Sequence, residues 1–242
     1  MRRLICAASL ALACSVSQSA FGAVGPFARL DISGEPAPIF INAVPSGNGK
    51  TFLINGEQGY QRTTSEYSIS ISGEYNPDPQ INYAIAATDF GAPTTFLFTM
   101  STSIVSTPAP NVVQGSISAG LQDAGANGAS VTPTLADQDG DTIPEIQVNT
   151  VFGGPTTNMG VDVGPSMSIP SGTQTYGPFN AGLQAGPGPG PWSFLQVEVG
   201  FQLSCGGDSF TPTGMASINV PEPAIFGLTA LGALPMLRRR RA

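Results

Sequence analysis

The sequence predicts an all-β fold, an antiparallel β-sandwich of jelly-roll-like kind. Three observations lead there. Runs in which apolar and polar residues alternate recur along the chain, the period-two signature of strands buried on one side. Gly 30 and Pro 22 in 242 residues interrupt nearly every window long enough for a helix. Hydrophobic residues at 41% supply a core, while charged residues reach only 10%. A propeller is disfavoured because no repeat of about 40–50 residues is visible.

The strands follow in order. Residues 27–54 offer two or three. In EYSISISGEY, residues 66–75, Tyr67, Ile69 and Ile71 fall on one face, with Ser68, Ser70 and Ser72 on the other. NPDPQ, 76–80, turns the chain, and INYAIAATDF, 81–90, returns it as far as the break at Gly91. Residues 94–105 place Phe96, Phe98 and Met100 on one face. Further strands are expected at 112–119, 129–134, 145–152, 193–205 and 214–219, nine to eleven in all. AGPGPGPW, 185–192, reads as an extended loop leading into the last long strand. One body over 23–219 is the expected domain.

Special segments bracket that body. Residues 1–22 carry Arg2 and Arg3, an apolar run over 4–13, then small polar residues, the three-part pattern of a secretory signal peptide. Ala20-Phe21-Gly22 offers a small-x-small cleavage site. The Sec translocon and signal peptidase are therefore expected partners, and Ala23 the mature start. The run is too short for a span, and Ala11 stands where a lipoprotein signal ending at Cys14 wants leucine. With Cys6 and Cys14 removed, Cys205 is alone and no internal disulfide can form. At the other end, residues 224–237 are mostly apolar, and a helix of that length reaches about 21 Å against a hydrocarbon core of about 30 Å. Arg238, Arg239, Arg240 and Arg241 belong on the cytoplasmic side, which places the body outside.

Pro221, Glu222 and Pro223, a short apolar helix and the terminal arginine cluster, in that order over 220–242, resemble the PEP-CTERM sorting signal, also known as the "ice-binding protein C-terminal" domain. The resemblance implies recognition by an exosortase, a membrane transpeptidase of Gram-negative bacteria. It further implies transient inner-membrane contact through 224–237, cleavage near the motif, and delivery to the cell surface or extracellular matrix. The body, over 81–105 and 190–204, resembles the single β-rich domain of a set of PEP-CTERM proteins. That implies a fold and no activity.

One constellation carries chemistry. TLADQDGDTIPEIQV contains Asp137, Asp139, Asp141 and Glu145 at positions 1, 3, 5 and 9. Alternate carboxylates on a tight loop converge, and hard oxygen ligands suit Ca²⁺. The stretch resembles the calcium loops of FG-GAP and thrombospondin type 3 repeats. It departs from them in having Thr142 where glycine is usual and in being a single copy. A structural calcium is the expected cofactor; an acidic, solvated turn is the alternative.

Charge and composition bound the rest. Residues 23–220 hold three basic side chains, Arg29, Lys50 and Arg62, against fifteen acidic ones, a net charge of −12. Such a body repels nucleic acid and attracts cations. The chain has no histidine, which removes the commonest general base and zinc ligand. Glu66, Glu74, Asp78 and Asp89 read as solubilising acids near strand ends. Tyr60, Tyr75, Tyr83, Tyr176 and Trp192 are possible sugar-stacking residues, with packing the commoner role for such side chains. The leading expectation is an exported, non-enzymatic surface or matrix protein. The others are a polysaccharide-binding module, calcium-assisted, and a polysaccharide hydrolase. A groove lined by aromatics would favour the former of these two. Two carboxylates facing each other about 5–10 Å apart would favour the latter.

Overall fold

The computed structural model describes residues 26–76, 79–104, 111–135, 142–149, 156–186, 192–204 and 206–219. Within them the regular structure is strand and turn, with no helix. The strands are β1 (Phe27–Ile32), β2 (Ile39–Pro45), β3 (Phe52–Ile54), β4 (Tyr60–Thr63), β5 (Tyr67–Asn76), β6 (Gln80–Asp89), β7 (Thr94–Ser103), β8 (Val112–Asp123) and β9 (Ala129–Pro133). They continue with β10 (Pro144–Asn149), β11 (Thr156–Asn158), β12 (Met167–Ile169), β13 (Gly172–Asn180), β14 (Gln184–Ala185), β15 (Phe194–Leu203), β16 (Ser209–Phe210) and β17 (Thr213–Asn219).

Every pairing is antiparallel, and the pairings resolve into two layers. The front sheet runs β2–β1–β7–β15, with β10 and β9 following one another along the far edge of β15 and β11 and β12 outside them. The back sheet runs from β3 and β4 through β5 and β6 to β16 and β17, then β8, then β13 and β14. Strand β2 is the corner: its first half pairs with β1 and its second half with β3. From β6 to β9 each connection crosses to the other sheet.

The period-two pattern fills the space between the sheets. Tyr67, Ile69 and Ile71 are buried from the back sheet, and Phe96, Phe98 and Met100 from the front sheet, as the alternation predicts. Aromatic rings stitch the layers together. Phe201 of β15 meets Phe210 of β16 edge-on at 5.0 Å, and Tyr67 meets Phe96 at 6.1 Å. Phe210 also stands edge-on to Tyr176 at 5.2 Å. Each such side chain contributes roughly 1.5–3 kcal/mol through burial.

The sandwich holds more strands than expected, because β4, β11 to β14 and β16 lie outside the runs read as strands. The longest, β13, buries only Tyr176 from its Gly172–Tyr176 half, and its register on β8 shifts between Tyr176 and Phe179. The signal-peptide segment, the sorting segment with Pro221, Glu222, Pro223 and Arg238 to Arg241, and Asp137, Asp139, Asp141 and Cys205 lie outside the described residues. Among the described residues no helix is long and apolar enough to cross a membrane.

Candidate functional site

The outer face of the front sheet is where polar chemistry gathers. Alternation fixes which side chains point there: Phe40 and Asn42 from β2, Phe27, Arg29 and Asp31 from β1, Thr99 and Ser101 from β7, Gln196 and Glu198 from β15, Glu145 and Gln147 from β10. Register then lines them up. Phe40 stands opposite Arg29, Arg29 opposite Thr99, Thr99 opposite Glu198, and Glu198 opposite Glu145. One continuous cross-strand row, Phe40–Arg29–Thr99–Glu198–Glu145, therefore spans five strands. A second row beside it carries Ser101, Gln196, Gln147 and Asn158.

The two ends of the first row differ in exposure. Phe40 at one end is 65% exposed, whereas Glu145 at the other end is 4% exposed. The Arg29 guanidinium lies 6.0 Å from the Phe40 ring centre. It also forks onto Asp31, with Nη2 donating to Oδ1 at 2.9 Å and Nε 2.8 Å from Oδ2. An exposed, forked pair of this kind is worth little in stability. It does fix the guanidinium beside the ring.

At the deep end two carboxylates share amide donors. Gln147 Nε2 donates to Glu145 Oε2 at 3.2 Å and to Glu198 Oε2 at 3.3 Å. Gln196 Nε2 donates to Glu198 Oε1 at 2.9 Å and to Gln147 Oε1 at 3.2 Å. Like charges opposite one another on neighbouring strands repel, and the amide placed between them offsets part of that. Burial pushes the Glu198 carboxyl above the ordinary glutamate value. The Gln147 and Gln196 hydrogen bonds and the Arg29 charge pull it back, and Asp31 pushes it up.

A glycine lets the chain cross this face. In β15 the outward position after Glu198 is Gly200, where a Cβ would fall 2.6 Å from Leu135 Cγ and 2.9 Å from Thr134 Oγ1. The segment leaving β9 therefore lies directly on the sheet beside the carboxylates. Leu135 and Thr142 then face each other in an isolated antiparallel bridge, the stem of the acidic loop.

Of the four expected calcium ligands, the structure describes Glu145, whose Oε2 accepts from Gln147. Among the described residues no three His, Cys, Asp or Glu side chains are grouped to hold a metal ion. Of the aromatics read as possible stacking residues, Tyr75, Tyr83 and Tyr176 are core side chains, exposed by 0%, 3% and 1%. Tyr60 and Trp192 are partly buried against the core. Asp89, read as solubilising, is instead fully buried. Reasoning from sequence missed Phe40, an exposed aromatic on the front face. Its signal was present in IFIN, where an aromatic takes a position that alternation assigns to the polar side. The outer face of the back sheet carries a shallow depression of about 330 Å³ near Ser116, Ser118 and Thr213, with hydroxyl groups and no charged side chain in its lining.

No family model and no curated protein matches the chain. A solved structure, TmCBM61 in complex with β-1,4-galactotriose, aligns at a TM-score of 0.29 and 8% identity, covering 80% of this chain and 88% of that one.

Proposed function

We propose that the chain is an exported, non-enzymatic cell-surface or matrix protein whose front-sheet face binds extracellular polysaccharide. The row Phe40–Arg29–Thr99–Glu198–Glu145 carries the reading. Polysaccharide recognition needs an apolar ring face beside fixed hydrogen-bonding groups on a surface long enough for several sugars. Phe40 supplies the ring. Arg29, Asp31, Thr99 and the rim of Glu198 supply donors and acceptors, held in place by the hydrogen bonds behind them. Calcium held by Asp137, Asp139, Asp141 and Glu145 would stiffen the segment between Leu135 and Thr142; a calcium-dependent gain in polysaccharide retention that Asp139→Ala removes would support that assignment. The register of β2, β1, β7, β15 and β10 leaves the face continuous across five strands. Retention of the secreted protein in native gels containing a panel of neutral and acidic polysaccharides tests the binding. Retention by one of them, weakened by Phe40→Ala, is expected; migration unchanged with every polymer would overturn the reading.

A hydrolase is the second reading, favoured by the Glu145–Glu198 pair. A glycosidase, however, holds its carboxyl groups on either side of a scissile bond. Here the Gln147 amide occupies the place between them. Incubation with the polymer that binds should release no reducing ends; release that Glu198→Gln abolishes would turn the assignment toward catalysis.

Export and sorting rest on the two ends of the sequence. The residues Pro221, Glu222 and Pro223 would present the tail to an exosortase, and Arg238 to Arg241 would be lost with it. Intact mass of the secreted protein, with and without the exosortase, checks this: a secreted product that still carries the four arginines in the presence of the enzyme contradicts it.

A further inference from the structure

The core-facing side of the back sheet ends in a row of three aspartates. Ser209 of β16 pairs with Thr88 of β6 and with Gln122 of β8, so the next row holds Asp208 between Asp89 and Asp123. The Asp89 N–H donates to the Asp208 carbonyl at 3.0 Å, which continues the pairing. All three side chains point to the same side as Ala87, Phe210 and Leu121, into the end of the core. They are exposed by 0% (Asp89), 0% (Asp208) and 7% (Asp123).

Their oxygens are not equally served. Asp89 accepts from the Gly91 and Thr94 N–H groups, both at 2.9 Å, and uses both oxygens. Asp123 Oδ2 accepts from the Gly128 N–H at 3.0 Å, and Asp208 Oδ2 accepts from the Ser204 hydroxyl. Asp123 Oδ1 and Asp208 Oδ1 are buried with no hydrogen-bond partner among the described residues. No basic side chain there offsets them: Arg29 pairs with Asp31, Arg62 pairs with Glu35, and Lys50 sits in the turn between Ser46 and Thr51. Side chains on neighbouring strands at one level have Cβ atoms about 4.5–5.5 Å apart. Two ionised carboxylates at that spacing repel, and burying an unpartnered charge is costly.

We propose that Asp123 and Asp208 hold a calcium ion at this end of the sandwich, distinct from the acidic loop, through the two unpartnered oxygens. The ion would tie the turn after β8 to the turn before β16. Hard carboxylate oxygens suit Ca²⁺, which takes about six to eight oxygen ligands; the Ser204 hydroxyl, main-chain carbonyls and water would complete the set. Two carboxylates on one divalent ion cancel its charge, which makes the burial tolerable.

The test is thermal melting of the full secreted protein, stripped with EDTA, with and without millimolar calcium. At about ten times the dissociation constant the wild type should melt about 3–6 °C higher. Asp123→Asn and Asp208→Asn should each abolish that rise, and each keeps an amide oxygen for its existing donor. The two variants read the same site independently, so one that fails to fold leaves the other to decide. Asp139→Ala should retain the rise. An unchanged wild-type melt, a rise that survives in the aspartate-row variants, or a rise lost in Asp139→Ala would each overturn the assignment.

Discussion

The front-sheet face and the aspartate row both collect carboxylates by cross-strand register, and they differ in what meets the charge. On the front face Glu145 and Glu198 are flanked by Gln147 and Gln196, and the two amides link all four side chains into one hydrogen-bonded set. In the aspartate row the donors are backbone N–H groups and one serine hydroxyl, and two buried oxygens are left over. The difference teaches how a sandwich handles buried acids. Where side-chain amides alternate with the carboxylates the charge is absorbed by the sheet itself, giving a rigid surface. Where they do not, the site is complete only with something added.

The contrast can be broken at its strongest point first. Gln147→Leu removes the donor shared by Glu145 and Glu198 and leaves two facing carboxylates. A loss of about 2–4 kcal/mol in urea unfolding is expected. A loss below about 0.5 kcal/mol would mean the amides are not offsetting the charge.

The same kind of change in the aspartate row should have the opposite sign. Without calcium, Asp208→Asn replaces a buried, unbalanced charge with a neutral group and should stabilise the protein by about 1–2 kcal/mol. Urea unfolding in EDTA reads it; destabilisation would place a compensating charge there that the described residues do not contain.

A smaller effect comes from pH. Glu198 has its folded-state pKa raised by burial, so the folded chain binds this proton more tightly than the unfolded chain. Its favourable contribution is complete below the unfolded value of about 4.3 and is lost as pH rises through the folded value. As pH rises from the unfolded value through the folded one, Glu198 should contribute a decline in stability in EDTA that Glu198→Gln removes. An identical slope in both proteins would show that Glu198 titrates normally.

Much of the fold is legible in the sequence because the core strands bury one face and expose the other. The alternation of Tyr67, Ile69 and Ile71, and of Phe96, Phe98 and Met100, is enough to place β5 and β7. Strand β13 is not legible, since Thr173, Gln174 and Thr175 are all exposed and the Gly172–Tyr176 half carries one core side chain. Its pairing with β8, not its composition, makes it a strand. The candidate site was half visible. Glu145 and Gln147, and Gln196 and Glu198, each alternate with apolar residues, which marks two strands with a polar face. That these strands are neighbours, and that Glu145 falls opposite Glu198, depends on register, which no local pattern encodes. The aspartate row is less visible still, because its members lie at the ends of three strands distant in sequence, and each alone looks like an ordinary turn acid.

The front-sheet face is the proposed binding surface. Titration of the secreted protein with the polysaccharide that retards it in native gels, followed by calorimetry, tests this most directly. Phe40→Ala should weaken binding about tenfold, through loss of a ring contact worth about 1–1.5 kcal/mol. Stability should stay within about 0.5 kcal/mol of wild type. Ser118→Ala, on the outer face of the back sheet, should bind as wild type does. Equal affinity for wild type and Phe40→Ala, or weakening only in Ser118→Ala, would contradict it.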